Sequence, residues 1–341
     1  MTSPAQINRQ YIFLSRPKGL PDRSNFELRE RTIREPLEGE VLVRTRYLSI
    51  DPTNRIWMSG RKQYMPPAEP GHVMRALGLG NVERSNHPDF RAGDLVSGLL
   101  GWQDYNIARP DEIALSALPK LDVPLTAFLC PLHVAGGVTA YFGLFDVGKP
   151  RPGETLVVSA ASGSVGSLAG QMGKIAGCRV VGIAGSDEGC RYVTKELGFD
   201  ACINYRTENV SEALARSCPK GIDINFENVG GDILDAVLDR MNLYGRVSLC
   251  GLISQYNDEG LWPGPKQFPL ILMQRLRVQG FICLDYRARF SEAFEKIYGW
   301  MKAGQIKWRE HIVEGLENAP DAVRLLFGSN KIGKLLLKVS D

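Results

Sequence analysis

The middle of the chain is patterned as short apolar runs separated by segments with helical periodicity. Residues 156–159 form an apolar, β-branched run of the kind that fills a strand buried on both faces. Between residues 164 and 176 the apolar side chains recur three or four positions apart, which gives a helix one apolar face. Residues 179–184 are a second apolar run, so the segment 155–188 predicts strand, turn, helix and strand. The apolar positions of the helix are Val165, Leu168, Ala169, Met172, Ile175 and Ala176.

The same alternation of strands and helices continues toward the C-terminus. Strands that alternate with helices predict a parallel, doubly wound α/β sheet. The predicted helices are 187–197, 210–217, 232–241 and 289–303, and the predicted strands are 201–205, 222–229, 245–250 and 276–284.

The first 130 residues have a different pattern, in which Gly and Pro turns separate strand-like segments. These segments are 9–14, 39–48, 73–82 and 94–100. A Pro-rich stretch over 119–131 marks the predicted boundary. The sequence therefore predicts a β-rich domain over 1–130, an α/β domain over 131–305, and a tail over 306–341 whose last strand, LLLKV, returns to pair with the first domain.

The turn after the first central strand carries glycines in a recognisable frame. Residues 161–166 read ASGSVG, which fits G-x-G-x-x-G with alanine in the first glycine place. In this frame Gly163 lets the backbone approach a pyrophosphate, and Gly166 lets the helix pack close to the strand. Because a strand precedes the turn and a helix and second strand follow it, we interpret it as a dinucleotide-binding turn. The alternative is a packing turn that binds nothing.

The residues after the second strand indicate which dinucleotide binds. An NAD-binding unit has an acidic residue about 20 positions after the glycines, whereas residues 184–186 here are Ala, Gly and Ser. A small, uncharged pocket admits the additional phosphate of NADP. Arg191, Lys195 and Arg206 are the nearest cationic candidates to pair with that phosphate. The sequence therefore predicts NADP as the cofactor.

Composition narrows the class of protein further. The chain has 341 residues and a net charge of +3, too small a charge to favour nucleic acid or a membrane as partner. Seven scattered cysteines with no C-x-x-C pair predict reduced thiols and a cytoplasmic location. The first ten residues have no apolar segment, and no apolar run reaches about 18 residues, so we expect neither a secretory signal nor a spanning helix.

Several longer segments carry a family resemblance: YLSIDPTNR (47–55), GVTAYFGL (137–144), AASGSVGSLAGQ (160–171), GIAGSDE (182–188), LGFDACINYRT (197–207), FENVGG (226–231), GRVSLCGLISQYN (245–257) and SNKIGK (329–334). Together they resemble the medium-chain dehydrogenase/reductase superfamily. The resemblance runs nearly end to end and is nearest to the zinc-independent branch of leukotriene dehydrogenase/prostaglandin reductases, alkenal double-bond reductases and curcumin reductases. It implies a Rossmann doubly wound parallel sheet plus a β-rich GroES-like catalytic domain.

The resemblance also implies cofactor contacts beyond the glycine turn. Tyr205 would lie on the adenosine phosphate side, residues 250–256 beside the nicotinamide ribose, and residues 281–283 with Asn330 against the nicotinamide. Ser186 and Arg191 join this set from the argument about the NADP phosphate. The predicted cofactor-binding residues are Gly163, Ser164, Val165, Gly166, Ser186, Arg191, Tyr205, Asn228, Cys250, Gly251, Leu252, Ile253, Ser254, Tyr256, Phe281, Ile282, Cys283 and Asn330.

The chain departs from the family pattern at two places. The family usually has a lysine after Ser-Asp-Glu that clamps the NADP phosphate, and this chain has Gly189 there. We therefore expect only a modest preference for NADPH over NADH. The family often reads Asp-Pro-Tyr-Met-Arg where residues 51–55 read DPTNR, so a substrate-side tyrosine is missing and the substrate remains open.

The residue types argue against a catalytic metal. No cysteine precedes Cys130 and the chain has only four histidines, so the first domain lacks the ligand set of zinc alcohol dehydrogenases. Oxidation of a simple alcohol without a metal lacks its Lewis acid. A conjugated enone or enal needs less help, because hydride goes to the β-carbon and the carbonyl oxygen needs only hydrogen-bond donors.

Tyr256 is the phenol that the resemblance places best to be such a donor, and it is the predicted catalytic residue; the alternative is a wall of the cofactor pocket. The predicted function is NADPH-dependent reduction of the carbon–carbon double bond of α,β-unsaturated ketones and aldehydes. A zinc-independent quinone reductase and a binding protein with a vestigial Rossmann domain are the alternatives. The apolar strand 276–284 closes the sheet, so we also expect a homodimer that pairs this edge with its copy.

Overall fold

The computed structural model describes residues 6–328 and 331–341. Its strands in chain order are β1 (Ile7–Phe13), β2 (Phe26–Thr32), β3 (Val41–Ser49), β4 (Gly78–Ser85), β5 (Leu95–Gly98), β6 (Tyr105–Ala108), β7 (Ser116–Ala117), β8 (Thr155–Val158), β9 (Arg179–Ala184), β10 (Ala201–Asn204), β11 (Ile222–Glu227), β12 (Met241–Leu249), β13 (Arg277–Gly280), β14 (Glu310–Glu314) and β15 (Lys334–Lys338).

The α-helices are mostly short, and the third to the seventh alternate with β8–β13. They are α1 (Pro52–Trp57), α2 (Thr139–Phe142), α3 (Ser164–Ile175), α4 (Asp187–Arg191), α5 (Val210–Ser217), α6 (Gly231–Leu238), α7 (Phe268–Met273), α8 (Phe290–Lys302) and α9 (Ala319–Leu325). Wider π turns extend α2 on both sides and α4 at its end, over Val134–Val138, Gly143–Gly148 and Tyr192–Glu196. No helix within the described ranges is long and apolar enough to cross a membrane.

The chain divides into two compact units. The first holds the described residues up to Leu129 together with His311–Phe327 and Leu335–Asp341. The second holds Cys130–Glu310 and the described part of Gly328–Lys334.

Six parallel strands form the sheet of the second unit, in the order β10-β9-β8-β11-β12-β13. The chain enters at β8, steps outward to β10, then crosses back to β11 and continues to β13. This order places the switch point of the sheet between β8 and β11, where open α/β sheets bind their ligands. Val157, Val181 and Val247 are fully or almost fully buried in the core, as the apolar runs predict. The predicted doubly wound parallel sheet is confirmed.

The first unit is built on antiparallel strands. A seven-stranded sheet has the order β14-β15-β3-β4-β5-β7, with β6 also paired to β3, and β1 pairs with β2 separately. The final strand runs antiparallel to β3, with Leu336 opposite Ser49. The core includes Phe13, Leu48 and Trp102, which are at most 1% exposed.

Several predicted strands are shorter in the structure, and two of them end or begin at a turn that the sequence did not indicate. The strand predicted over 276–284 is only Arg277–Gly280, because the chain then turns into a 3₁₀ helix over Cys283–Arg289. That turn stacks the ring of Tyr286 on Phe142 with centroids 4.5 Å apart. The strand predicted over 73–82 begins only at Gly78. Met74 instead bonds to two other segments, donating to Tyr11 O and accepting from Trp102 N, each at 2.8 Å.

Candidate cofactor site

The glycine turn joins β8 to the N-terminus of α3. Gly163 is the N-cap of α3 and has an extended backbone, with φ −81° and ψ 177°. A Cβ added at Gly163 would have one neighbour within 4 Å, Ala160 O at 3.2 Å, whereas at Gly166 it would lie 2.4 Å from that oxygen. Gly166 is therefore required for close packing of α3 on the turn. Gly163 is not, so its lack of a side chain leaves space for a ligand at the helix N-terminus, where N–H groups favour phosphate.

A second backbone segment lies against the same turn. Gly333 N donates to Ser162 O at 2.8 Å, and Gly163 and Gly333 form an isolated parallel bridge. Gly333 has φ +78° and its Cβ would lie 2.1 Å from Arg309 O, so no other residue fits there without a shift. The predicted contact at Asn330 lies outside the described residues.

The end of β9 presents small and neutral groups, as the NADP argument requires. Ser186 caps α4 by accepting from Gly189 N at 3.0 Å. The ring of Tyr205 covers Gly185, whose Cβ would lie 2.9 Å from the phenol oxygen. Gly189 is buried, and a Cβ there would lie 3.0 Å from Ser162 Oγ. A family-type lysine at 189 would therefore need the serine side chains to move.

The three cationic side chains predicted to pair with the phosphate are all exposed. Arg191 and Lys195 lie in α4 and the π turn that extends it, and Arg206 follows β10. Solvent screening makes an ion pair with an exposed side chain weak. None of these three described residues is therefore a buried phosphate clamp.

The turn after β11 is held by a network of hydrogen bonds to β8. Asn228 N donates to Ser159 Oγ at 2.7 Å, and Asn228 Nδ2 donates to Ser159 O at 2.8 Å. The carboxylate of Glu227 accepts from Ser159 Oγ at 2.9 Å. Sequence reasoning singled out Asn228 but missed Ser159 and Glu227. The available signal was a carboxylate directly after the apolar strand residues in FENVGG.

The loop over 250–256 is bonded to that same turn. Ile253 N donates to Asn228 O and Ser254 N donates to Val229 O, each at 3.1 Å. The phenol oxygen of Tyr256 accepts from Leu252 N at 3.0 Å. Since β8, β11 and β12 are parallel, their carboxyl ends meet at one edge of the sheet. The structure thus brings the predicted residues 228 and 250–256 together at the switch point.

The remaining predicted residues follow β13. The ring of Phe281 lies edge-on to Phe226 with centroids 6.4 Å apart, and Ile282 precedes the 3₁₀ helix as its N-cap. Burial raises the pKa of the Cys250 thiol to about 12 and that of the Cys283 thiol to about 11. Both thiols are therefore protonated at neutral pH and weak nucleophiles.

A phenol occurs beside position 53 in the first unit, where the sequence lacks the family's tyrosine. The hydroxyl groups of Thr53 and Tyr64 are hydrogen-bonded to each other. Trp57 Nε1 donates to the same phenol at 3.2 Å. Burial raises the pKa of Tyr64.

Within residues 6–328 and 331–341, no group of three or more His, Cys, Asp or Glu side chains is arranged to hold a metal ion.

Two family models match the chain. The one described as the N-terminal domain of oxidoreductase matches residues 9–115, and the one described as zinc-binding dehydrogenase matches residues 164–298. The second match begins at the first residue of α3 and covers most of the α/β unit.

Similar proteins align over nearly the whole chain. NADPH-dependent curcumin reductase of Escherichia coli (strain K12) is 46% identical, covering 100% of this chain and 99% of the relative. The NADP-dependent 2-alkenal reductase of Nicotiana tabacum is 41% identical, covering 98% of each. The crystal structure of CurA from Vibrio vulnificus in complex with NADPH is 43% identical over 98% of this chain and 99% of that chain, with a TM-score of 0.91. The chain therefore belongs to the medium-chain dehydrogenase/reductase family, among the NADP-dependent oxidoreductases that act on conjugated carbon–carbon double bonds.

Proposed function

We propose that this chain uses NADPH to reduce the carbon–carbon double bond of α,β-unsaturated ketones and aldehydes. The observation that carries the proposal is the group of residues gathered at the carboxyl edge of the parallel sheet, which we propose to hold the cofactor. There the open glycine turn, the tethered Asn228 and the loop over 250–256 lie at the switch point. The similarity to curcumin and alkenal reductases supports this substrate class.

The residues of the chain contribute mainly by binding and by polarising the substrate. Bound NADPH supplies the hydride that the β-carbon accepts. The first turn of α3 offers N–H groups to the pyrophosphate. As hydride arrives, negative charge moves to the carbonyl oxygen, which a phenol can stabilise by donating a hydrogen bond. The enolate then takes a proton at its α-carbon from a phenol or from water, which gives the saturated carbonyl compound. Leu252 N donates to the Tyr256 oxygen, and that bond polarises the phenol and strengthens it as a donor.

The function is tested with the purified protein, NADPH and four carbonyl classes. We expect consumption of NADPH with a conjugated enone and a conjugated enal, and the products should be the saturated carbonyl compounds. A saturated ketone should give no turnover, and a quinone should react more slowly than the enone. An allylic alcohol as product, or reaction with quinones alone, would contradict the proposal.

Turnover should be insensitive to chelators, because the described residues hold no evident ligand set. Dialysis against a chelator should leave the rate with an enone unchanged, and added zinc should not raise it. Loss of activity on dialysis that zinc restores would show that the prediction is wrong.

NADPH should bind more tightly than NADH, but only by about 5- to 20-fold, since exposed ion pairs contribute about 1 kcal/mol or less each. Arg206→Ala should narrow the difference between the two affinities. Lys220, an exposed lysine in the turn before β11, provides the control substitution Lys220→Ala. Fluorescence titration at low salt measures both affinities for each protein. Equal binding of NADH by the unmodified chain would contradict this prediction.

We further propose a homodimer formed through β13. All four residues of β13 are exposed, and its outer edge has no partner among the described strands. Apolar side chains surround this edge, including Val278 at 40%, Leu272 at 71% and Phe268 at 66% exposure. Pairing β13 with its copy would satisfy the edge groups and cover these side chains.

The dimer predicts a mass in solution of twice the 37.7 kDa of the chain. Val278→Asp should yield monomer, because it introduces charge at the paired edge. Leu37→Asp is the matched control, since Leu37 is 63% exposed in the first unit. Light scattering at micromolar concentration distinguishes the two masses. A monomeric unmodified chain would refute the proposal.

The proposed setting is the cytoplasm, with a small molecule as the only substrate partner. None of the seven cysteines, all of which lie within the described residues, forms a disulfide, which is usual in a reducing compartment. The net charge of +3 gives no support to nucleic acid or a membrane surface as partner.

A further inference from the structure

Glu227, the last residue of β11, is a carboxylate with no exposed surface. Its Oε1 accepts from Val229 N at 2.6 Å, Gly230 N at 2.8 Å and Ser159 Oγ at 2.9 Å. Its Oε2 accepts from Asn225 Nδ2 at 2.7 Å. Four donors therefore converge on one buried side chain.

The partners of Glu227 all donate to it. Three of them are N–H groups, and Ser159 Oγ, which donates to Glu227, also accepts from Asn228 N. A polar group buried this completely is tolerated only when such hydrogen bonds compensate its loss of water.

The same residue connects three segments of the cofactor edge. Its side chain joins the end of β8 to the turn 228–230. Its main-chain oxygen accepts from Cys250 N at 2.9 Å and Gly251 N at 3.1 Å, which attaches the loop after β12. In that turn, the main-chain oxygens of Asn228 and Val229 accept from Ile253 N and Ser254 N. Every tether of the segment 250–254 to the turn thus depends on where Glu227 is held.

We propose that Glu227 is a positioning residue that presets Asn228 and the loop over 250–256 for the nicotinamide half of NADPH. The proposal rests on the assignment of this loop to the nicotinamide side of the site. The adenosine half uses other segments, since Ser186 and Tyr205 follow β9 and β10 on the far side of the sheet's switch point. Loss of Glu227 should therefore damage one half of the cofactor site and spare the other.

Two ligands separate the two halves. NADPH engages the whole site, whereas adenosine 2′,5′-bisphosphate engages only the adenosine side. Glu227→Ala leaves Val229 N, Gly230 N and Ser159 Oγ without their acceptor, and we expect NADPH to bind about 10- to 100-fold more weakly. Binding of the bisphosphate should change by less than about twofold. A general loss of structure would weaken both ligands together.

Glu227→Gln provides the rescue variant. Its amide oxygen can take the Oε1 place and keep three donors. Its amide nitrogen would face Asn225, whose Oδ1 accepts no hydrogen bond among the described residues, so turning the Asn225 amide restores the fourth bond. We expect NADPH affinity within about threefold to fivefold of the unmodified chain, because each of the four hydrogen bonds is kept or replaced.

A matched control lies at the other end of the same strand. Asp223 accepts from Thr155 N and Asn242 Nδ2, each at 2.8 Å. Asp223→Asn therefore makes the same change of carboxylate to amide about 13 Å away along the strand. It should leave the affinities of both ligands unchanged.

Calorimetric titration of both ligands decides the question without any substrate, so its result is independent of the proposed enone reduction. If Glu227→Ala does not fold, Ser159→Ala is a milder substitution, because it removes only one donor to Glu227 and the acceptor of Asn228 N. It should weaken NADPH several-fold and spare the bisphosphate. Proportional loss of both ligands, unchanged NADPH binding in Glu227→Ala or Ser159→Ala, or a Gln variant as weak as the Ala variant would each overturn the proposal.

Discussion

Gly166→Ala should sharply destabilise the α/β unit, whereas Gly163→Ala should fold normally and bind NADPH poorly. A Cβ at 166 would lie 2.4 Å from Ala160 O and 3.1 Å from the Ala161 Cα. Both neighbours are backbone atoms that α3 and β8 hold in place. Overpacking of this kind costs about 1–3 kcal/mol or more, so we expect the Tm of the unit to fall by roughly 5–10 °C.

Position 163 is less crowded than position 166. A Cβ there would meet Ala160 O at 3.2 Å and nothing else within 4 Å, and the backbone is extended, so alanine needs a shift of only a few tenths of an ångström. The added methyl would instead project toward the place predicted for the pyrophosphate. We expect NADPH affinity to fall about 10-fold or more, equivalent to about 1.4 kcal/mol.

Thermal denaturation without cofactor and NADPH titration, applied to both variants, separate the two roles. Cofactor is left out of the melting experiment because bound ligand would mask a change in stability. A Gly163→Ala variant that melts early, or one that binds NADPH normally, would show that the glycine does not serve the ligand.

The α/β unit was predictable because burial on both faces of a parallel sheet leaves its mark in the sequence. After a polar first residue, β8 and β9 consist of uninterrupted apolar residues, and α3 has a single apolar face. Strand β2, which was not predicted, has the sequence FELRERT, and all of its residues after Phe26 are exposed. It is held by backbone pairing with β1, and such pairing does not require an apolar pattern.

The candidate site also has one part that the sequence predicts and one part that it does not. The glycine turn was predictable because its chemistry depends on the lack of side chains at fixed spacing. The network around Glu227 was not, because it joins residues 159, 227 and 251, which only the strand order brings together. Similarly, the sequence indicated a phenol at 256 but not that its oxygen accepts from Leu252 N.

Tyr256→Phe should lower kcat on enones by about 10- to 100-fold while leaving NADPH affinity within about fivefold. The phenol stabilises charge that develops only as hydride is transferred, so its loss should affect kcat more than KM. Removal of one such donor from a dry site costs about 10²–10³-fold, and partial access of water reduces this. Tyr256 is partly exposed, which is why we expect the lower range.

The structure adds a second consequence of this substitution. Replacement of Tyr256 by phenylalanine would leave Leu252 N without the phenol oxygen, and one lost hydrogen bond of this kind costs about 1 kcal/mol. This loss destabilises the loop that binds NADPH and does not act on the transition state. A cost of about 1 kcal/mol corresponds to a change in NADPH affinity of about fivefold. The two effects therefore appear in different measurements.

Steady-state kinetics and NADPH titration of Tyr256→Phe and Tyr256→Ala distinguish a donor from a pocket wall. If the phenol is the donor, both variants lose kcat to a similar extent, because neither can donate. If Tyr256 only packs against the cofactor and Trp262, whose ring centroid is 5.6 Å away, Phe should be silent and Ala should weaken NADPH binding. Tyr298→Phe is the control for loss of a phenol elsewhere in the unit, on α8 beside Lys302. Unchanged kcat in the Phe variant would remove Tyr256 from the catalytic role and leave the enolate oxygen to the cofactor ribose or to water.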